Sequence, residues 1–188
     1  TLARALEEHV SRAFATVDVN LLNLGHRLVE TGALARPSTP QEVEALRERA
    51  AQIGFVRSIY VYDAWGSGHS TSLGADVTKL HAKEFENTRK VLEGDKNRLI
   101  IGQVVRGAIT GQPNIPVALG ILDKSGGLAG IIGSAILPEY FRDFYESLRL
   151  GEGASVGLLR RDGAVLARFP EMTDAPVDVS KSTVFREQ

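Results

Sequence analysis

The chain has 188 residues, 43% of them hydrophobic and 24% charged, a globular balance that excludes collagenous, mucin-like and wholly disordered proteins. Lys and Arg number 22 against 23 Asp and Glu, so the net charge is −1 and the cationic excess expected of a nucleic-acid partner is missing. Cysteine is absent, which closes off disulfides, thiolate metal sites and cysteine nucleophiles, and the longest nearly unbroken apolar run, Leu128 to Leu137, falls well short of the roughly 18 to 20 residues that span a bilayer.

Val10, Phe14, Val17, Leu21, Leu24 and Leu28 recur at alternating steps of four and three, the stripe of an amphipathic helix. Carried from Leu2 to Ala33, that helix is about 48 Å long, more than a small domain needs to cover its core. Two readings stand: part of the stripe, around Val10, Phe14 and Val17, pairs with another chain, or the lower turns pack on the domain's own sheet. The chain opens at Thr1 inside this helical pattern, with no signal-peptide pattern, as expected of an excised portion of a longer protein.

Thr39-Pro40-Gln41-Glu42 has the form of a capping box with proline at the first helical position, so a second helix begins there. Val43, Leu46, Ala50 and Ile53 form its buried face, and Gly54 ends it. The period then changes to two. Residues 57–63 alternate Ile59 and Val61 with Ser58, Tyr60 and Tyr62, and a turn at residues 64–68 leads to a short strand at 69–72, a hairpin with a loose loop. Residues 81–93 read as one helix closed by Gly94. Strands are expected at 99–105, 115–122 and 128–136, separated by the loops 107–114 and 123–127. Connections this short force antiparallel neighbours.

Pro138 opens a helix carrying Tyr140, Phe141, Phe144, Tyr145 and Leu148, which Gly151 ends. Residues 155–160 and 164–169 flank Asp162-Gly163, a hairpin signal because that pair accepts positive φ, and a last segment follows at 182–188. The pattern is α+β, with a central antiparallel sheet flanked by helices. A lone hairpin is marginal by itself, so the C-terminal stretch reads as the start of a second module.

The order of these elements carries four local phrases. They are Asp123-Lys124-Ser125-Gly126-Gly127-Leu128-Ala129-Gly130 on the central strands, the tyrosine-rich helix from Pro138 to Tyr145, Gly151-Glu152-Gly153, and the hairpin from Leu158 to Pro170. Together they resemble the double Cache family of extracytoplasmic sensor domains. The resemblance implies a PAS-like sheet after the long N-terminal helix, with residues 1–150 as the membrane-distal module and 151–188 as the truncated start of the membrane-proximal one. It further implies the periplasmic or extracellular portion of an inner-membrane histidine kinase, diguanylate cyclase or chemoreceptor. Such a portion binds a small molecule, meets the membrane only through flanking segments, transmits by helix movement and pairs as a homodimer through the long helix. One departure stands out. The amino-acid-binding subgroup has an arginine that grips the ligand carboxylate, and an aromatic residue, on the strand before the turn. Aligned on Asp123, those positions fall at Gly120 and near Asn114, and glycine supplies no bidentate contact.

Catalytic motifs are absent: there is no G-x-S-x-G elbow, no phosphate-binding P-loop and no H-E-x-x-H helix, so the chain reads as a non-enzyme without a cofactor. His9, His26, His69 and His81 include no pair at i and i+4, and no metal site is expected. The ligand-binding candidates are Tyr60, Tyr62, His69, Arg106, Thr110, Asn114 and Asp123. Alternation places both phenols on one strand face, which is either ligand pocket or helix-packing surface. His69 and His81 flank the loop that the resemblance places over the sheet, each either a donor to a ligand or a solvated histidine. Arg106 is either an anion-selecting pocket residue or a solvated strand end. Thr110, Gln112 and Asn114 belong to a loop that rims the pocket in the resembling fold, while an ordinary hairpin needs the same residue types. Asp123 enters through the family's turn. Ala118, Gly120, Gly130, Gly133 and Ser134 leave room either for a small molecule or for close packing. An interaction or dimerisation module without a small-molecule ligand is the alternative function.

Overall fold

The computed structural model describes residues 1–171 and 180 and divides into two compact units, residues 1–102 with 116–136, and residues 103–115 with 137–188. The division differs from an expected boundary near residue 150. The helix after Pro138 and the loop before Pro116 group with the C-terminal hairpin.

In the first unit, α1 (Leu2–Glu30) is one unbroken helix of 29 residues, about 44 Å long. Its stripe faces inward from Ala13 onward: Val17 and Leu21 are fully buried, and Leu24 and Leu28 are buried beside them. Val17 therefore belongs to the domain's own core, while Val10 and Phe14 are half-buried. The capping box forms as the sequence requires, with the Glu42 N–H donating to Thr39 Oγ1 at 3.2 Å and the Thr39 N–H to Glu42 Oε2 at 2.8 Å. Helix α2 (Pro40–Ile53) runs from there to Gly54, whose φ of +82° suits glycine.

Strands β1 (Val56–Asp63) and β2 (Gly68–Thr71) form the expected hairpin. The predicted helix at 81–93 divides. Residues 82–84 make a 3-10 turn capped by His81 and Glu84, Phe85 is extended, and α3 covers only Glu86–Leu92. The break has a local cause: the Thr88 hydroxyl donates to the Ala82 carbonyl at 2.6 Å and folds the 3-10 turn back on the helix.

The predicted strand 99–105 also shortens, to β3 (Ile100–Ile101) and β4 (Val105–Arg106). Strand β3 pairs with β5 (Pro113–Leu122) through Ile100 and Ala118 and through Ile101 and Val117. The next N–H, that of Gly102, still donates to Pro116 O at 2.8 Å. Pro116 has no N–H to return, so the ladder ends there. Strand β6 (Leu128–Ile136) falls where its apolar run predicts, and the order across the sheet is β2-β1-β6-β5-β3, with β4 paired to the first residues of β5. Helices α1 and α2 pack on one face, α1 over β6 and α2 over β1 and β2, while α3 packs on the other against β3 and β6.

In the second unit, β4 and residues 113–114 close a loop pinned by the Gly107 N–H on Gln112 O at 2.9 Å. Helix α4 (Pro138–Ser147) buries Phe141 and Tyr145 and packs on β8 (Val165–Phe169), the partner of β7 (Val156–Leu159). Gly163 turns this hairpin at φ +92°, as its Asp-Gly sequence predicts. The expected segment 182–188 lies outside the described residues.

Candidate functional site

The face of the sheet under α3 carries both tyrosines. On β1, Ile59 and Val61 point toward α1 and α2, so Tyr60 and Tyr62 point the other way, with ring centroids 5.9 Å apart in an edge-on arrangement. The Tyr60 ring crosses Gly133 of the neighbouring β6: a Cβ there would lie 2.3 Å from Tyr60 Cε2. Its hydroxyl thereby reaches β5 and donates to Val117 O at 2.9 Å. From α3, Asn87 Nδ2 donates to the same hydroxyl at 2.9 Å. Burial pushes the Tyr60 phenol far above its ordinary value, against which the Asn87 bond acts weakly. Burial, and then the charge of Glu84, push Tyr62 up to about 12. Both phenols are neutral across the physiological range.

Beside this polar chain lies an apolar cluster of Tyr62, Ala82, Val91, Ile100, Ala118 and Ile131. The small residues of the central strands are occupied by close packing. Gly130 meets Leu34 and the Tyr62 carbonyl, Gly120 meets Lys96, and Ser134 donates to the Ser58 carbonyl at 2.9 Å.

The remaining candidates separate. Both ring nitrogens of His69 are engaged: Nε2 lies 3.1 Å from Ala33 O and 3.0 Å from Arg36 O, and Nδ1 lies 3.1 Å from Ser70 Oγ. Because a carbonyl only accepts, Nε2 carries the proton. His69 thus fastens the connection between α1 and α2 to β2. Asp123 builds the turn between β5 and β6: its Oδ1 accepts from the Ser125 hydroxyl at 2.6 Å and from the N–H groups of Ser125 and Gly127 at 2.8 and 2.9 Å. Those bonds, the Ser125 hydroxyl first, hold its carboxyl below the usual range.

Arg106, Thr110 and Asn114 belong to the second unit and to one loop. Arg106 donates to Gly111 O at 3.0 Å, Thr110 Oγ1 accepts from the Gln112 N–H at 3.3 Å, and Asn114 Nδ2 donates to Gln112 O at 3.1 Å. The structure therefore brings Tyr60 and Tyr62 together, groups these three separately and gives His69 and Asp123 local tasks. Asn87 is the residue that sequence reasoning missed. Its only local signal was a polar residue two positions into a short helix.

A groove of about 180 Å³ lies on the other side of the sheet, between α1 and β5, lined in part by Asp18, Leu22, His26, Lys96 and Arg98. Its cations are already held, Lys96 by Gly126 O at 2.8 Å and Arg98 by both carboxylate oxygens of Asp95. Burial raises the Asp18 carboxyl above its ordinary value. Among the described residues no group of His, Asp and Glu is arranged to hold a metal ion, and no helix is long and apolar enough to cross a membrane.

Residues 138–188 match the family model described as dCache_1_like, histidine kinase sensor domain. No curated protein matches the chain in sequence. Among solved structures, the extracellular domain of rpHK1S-Z16, assigned to a histidine kinase, aligns with the whole chain over 75% of its own length, at 24% identity and a TM-score of 0.83. The periplasmic sensory domain of the Campylobacter jejuni chemoreceptor Tlp1 aligns with 89% of the chain over 70% of its length, at 12% identity and a TM-score of 0.66. The ligand-binding domain of the Pseudomonas fluorescens chemoreceptor CtaA, solved with L-isoleucine, aligns with 94% of the chain over 65% of its length, at 15% identity and a TM-score of 0.64. The long helix and the antiparallel sheet with helices on both faces give this chain an α+β, PAS-like fold that it shares with these sensor domains.

Proposed function

We propose that the chain is the extracytoplasmic sensing portion of a transmembrane receptor, a histidine kinase or chemoreceptor, and that it binds a small molecule on the α3 face of its first sheet without chemical turnover. The observation that carries this reading is the buried polar chain Asn87–Tyr60–Val117 on a face otherwise made of apolar side chains. Ligand sites are mostly apolar with a few placed polar groups, and this face has that composition. The likeness to sensor domains, one of them solved with an amino acid, supports the class. Lack of an arginine at Gly120 sets the ligand apart from one gripped by its carboxylate there.

Signal leaves through α1. A ligand on the α3 face shifts the balance between two arrangements of sheet and helix only by its differential affinity for them. Helix α1 packs against β6 on the opposite face and carries the change toward the membrane, where a second copy pairs with it. The apolar cluster under α3 favours a second reading, an interaction module that takes no small molecule.

A thermal-shift screen against amines, sugars, organic acids and amino acids separates the two. A binder at 100 times its Kd adds about 2.7 kcal/mol, which moves the midpoint by several degrees in a domain of this size. A hit weakened by Tyr60→Phe supports the sensor and its α3-face site, and one weakened by Arg106→Ala moves the site to the loop of the second unit. No shift across the panel favours the interaction module.

A further inference from the structure

Asn87 is 1% exposed, and its Oδ1 is buried with no hydrogen-bond donor against it. Its orientation is fixed. The Tyr60 proton is committed to Val117 O, which can only accept, so the Tyr60 oxygen must receive its second bond from the Asn87 amide N–H. Turning the carboxamide over would set oxygen against oxygen. The oxygen left over is therefore an acceptor built into the face. Buried acceptors without a donor are few in folded proteins and mark places where a water or a ligand supplies the missing group.

A second observation lies on the same face. The Tyr62 ring lies against that of Tyr60 and the residue is 5% exposed, while its hydroxyl is not among the buried atoms left without a partner and so keeps access to solvent. Among the described residues no Lys or Arg side chain donates to Tyr60, Tyr62 or Asn87, and the nearby charge acting on Tyr62 is the carboxylate of Glu84. The face thus offers a neutral acceptor and a neutral hydroxyl, with an acidic group as the charge beside them.

We infer that Asn87 Oδ1 is the polar anchor of the site and takes an N–H or O–H of the ligand, so that the ligand is a small neutral or cationic molecule bearing such a donor rather than a simple carboxylate. This rests on the ligand-binding reading above. Donor-bearing groups fit the Asn87 acceptor, whereas a carboxylate would set its oxygens against that acceptor in the field of Glu84, with the Tyr62 hydroxyl to donate but no cation.

The test uses ethylamine, ethanolamine, acetamide and glycerol as donor probes and acetate and propionate as controls, read by thermal shift on the wild-type chain and on Asn87→Leu, Asn87→Asp and Tyr60→Phe. Donor probes raise the midpoint of the wild type and the carboxylates do not. Asn87→Leu weakens the best donor probe by about tenfold or more, the loss of one hydrogen bond to a buried acceptor. The near-isosteric Asn87→Asp favours the amines over glycerol, and it carries the test should the leucine variant fail to fold. Tyr60→Phe removes the oxygen that orients the carboxamide, so it weakens the donor probes and narrows their margin over the carboxylates. Binding that ignores Asn87, or carboxylates that bind as well as amines, overturns the inference and leaves the sensor reading standing. A wild type that responds to no probe here and to no compound of the wider screen overturns both.

Discussion

The two faces of the first sheet are built differently. Under α1 the contacts are apolar and close: Val17 and Leu21 are fully buried, and a Cβ on Gly25 would stand 3.3 Å from Ile121 Cγ1. Under α3 the strands present a hydroxyl and a carbonyl, and α3 itself a carboxamide, in a buried line that ends in an unmatched oxygen. Apolar packing is satisfied by any shape that fits, whereas a buried polar line stabilises only when each member has its partner. The α1 face therefore reads as the part that holds the domain together. The α3 face is where, on the proposed reading, a ligand would supply the missing donor.

The largest effect should come from the packed face. Leu21→Ala removes a fully buried side chain and should cost about 2 to 5 kcal/mol in chemical denaturation, while leaving the order of ligand preference intact. A loss below about 1 kcal/mol would mean that α1 is held more loosely than its burial implies.

On the polar face, Gly133→Ala puts a methyl into the Tyr60 ring and against the Val117 carbonyl oxygen and should cost about 1 to 3 kcal/mol. The expected signature is coupling: in Tyr60→Phe the added cost of Gly133→Ala persists because the ring is still there, and in Tyr60→Ala it shrinks to the part that the Val117 carbonyl imposes. Equal costs in all backgrounds would separate Gly133 from Tyr60.

Alkaline pH probes the same face. Tyr62 titrates near 10 when unfolded and about 12 when folded, because burial and Glu84 disfavour its charged form. Its contribution is complete below pH 10 and is lost as the pH rises toward 12. Tyr145 in the second unit, also pushed up to about 12 by burial, adds a parallel loss. Tyr62→Phe should therefore flatten, without abolishing, the fall in stability above pH 10, and an unchanged slope would contradict the assignment.

The smallest effect tests how tightly α1 sits. Gly25→Ala gains up to about 1 kcal/mol of helix propensity and meets Ile121 at a distance that requires the isoleucine to yield. The two nearly cancel, so a change within about 0.5 kcal/mol is expected. A large loss would show that the contact is rigid.

Much of this was legible in the sequence wherever a signal is local. The capping box of Thr39 and Glu42, the Asp162-Gly163 turn and the apolar run of β6 form as their residues demand. Asp123 was read as a ligand candidate through its family turn, yet Asp123-Lys124-Ser125-Gly126-Gly127 also spells a turn in which an aspartate accepts from the backbone two residues on, and the structure uses it so. The split of the helix at 81–93 was hidden because a histidine at its start acts as a cap, with Nδ1 accepting from the Lys83 N–H. The end of β3 depends on Pro116, a residue on another strand. Least legible was the Asn87–Tyr60–Val117 line. Its partners lie 27 and 57 residues apart in sequence, and only the fold brings them together.

The most direct measurement is amide hydrogen exchange with and without the best compound from the screen. The account predicts that protection rises in residues 58–62 and 82–91, on β1 and α3, with a smaller change along α1. Protection confined to residues 18–26 and 96–98, around the groove between α1 and β5, would place the ligand on the opposite side of the sheet and contradict it.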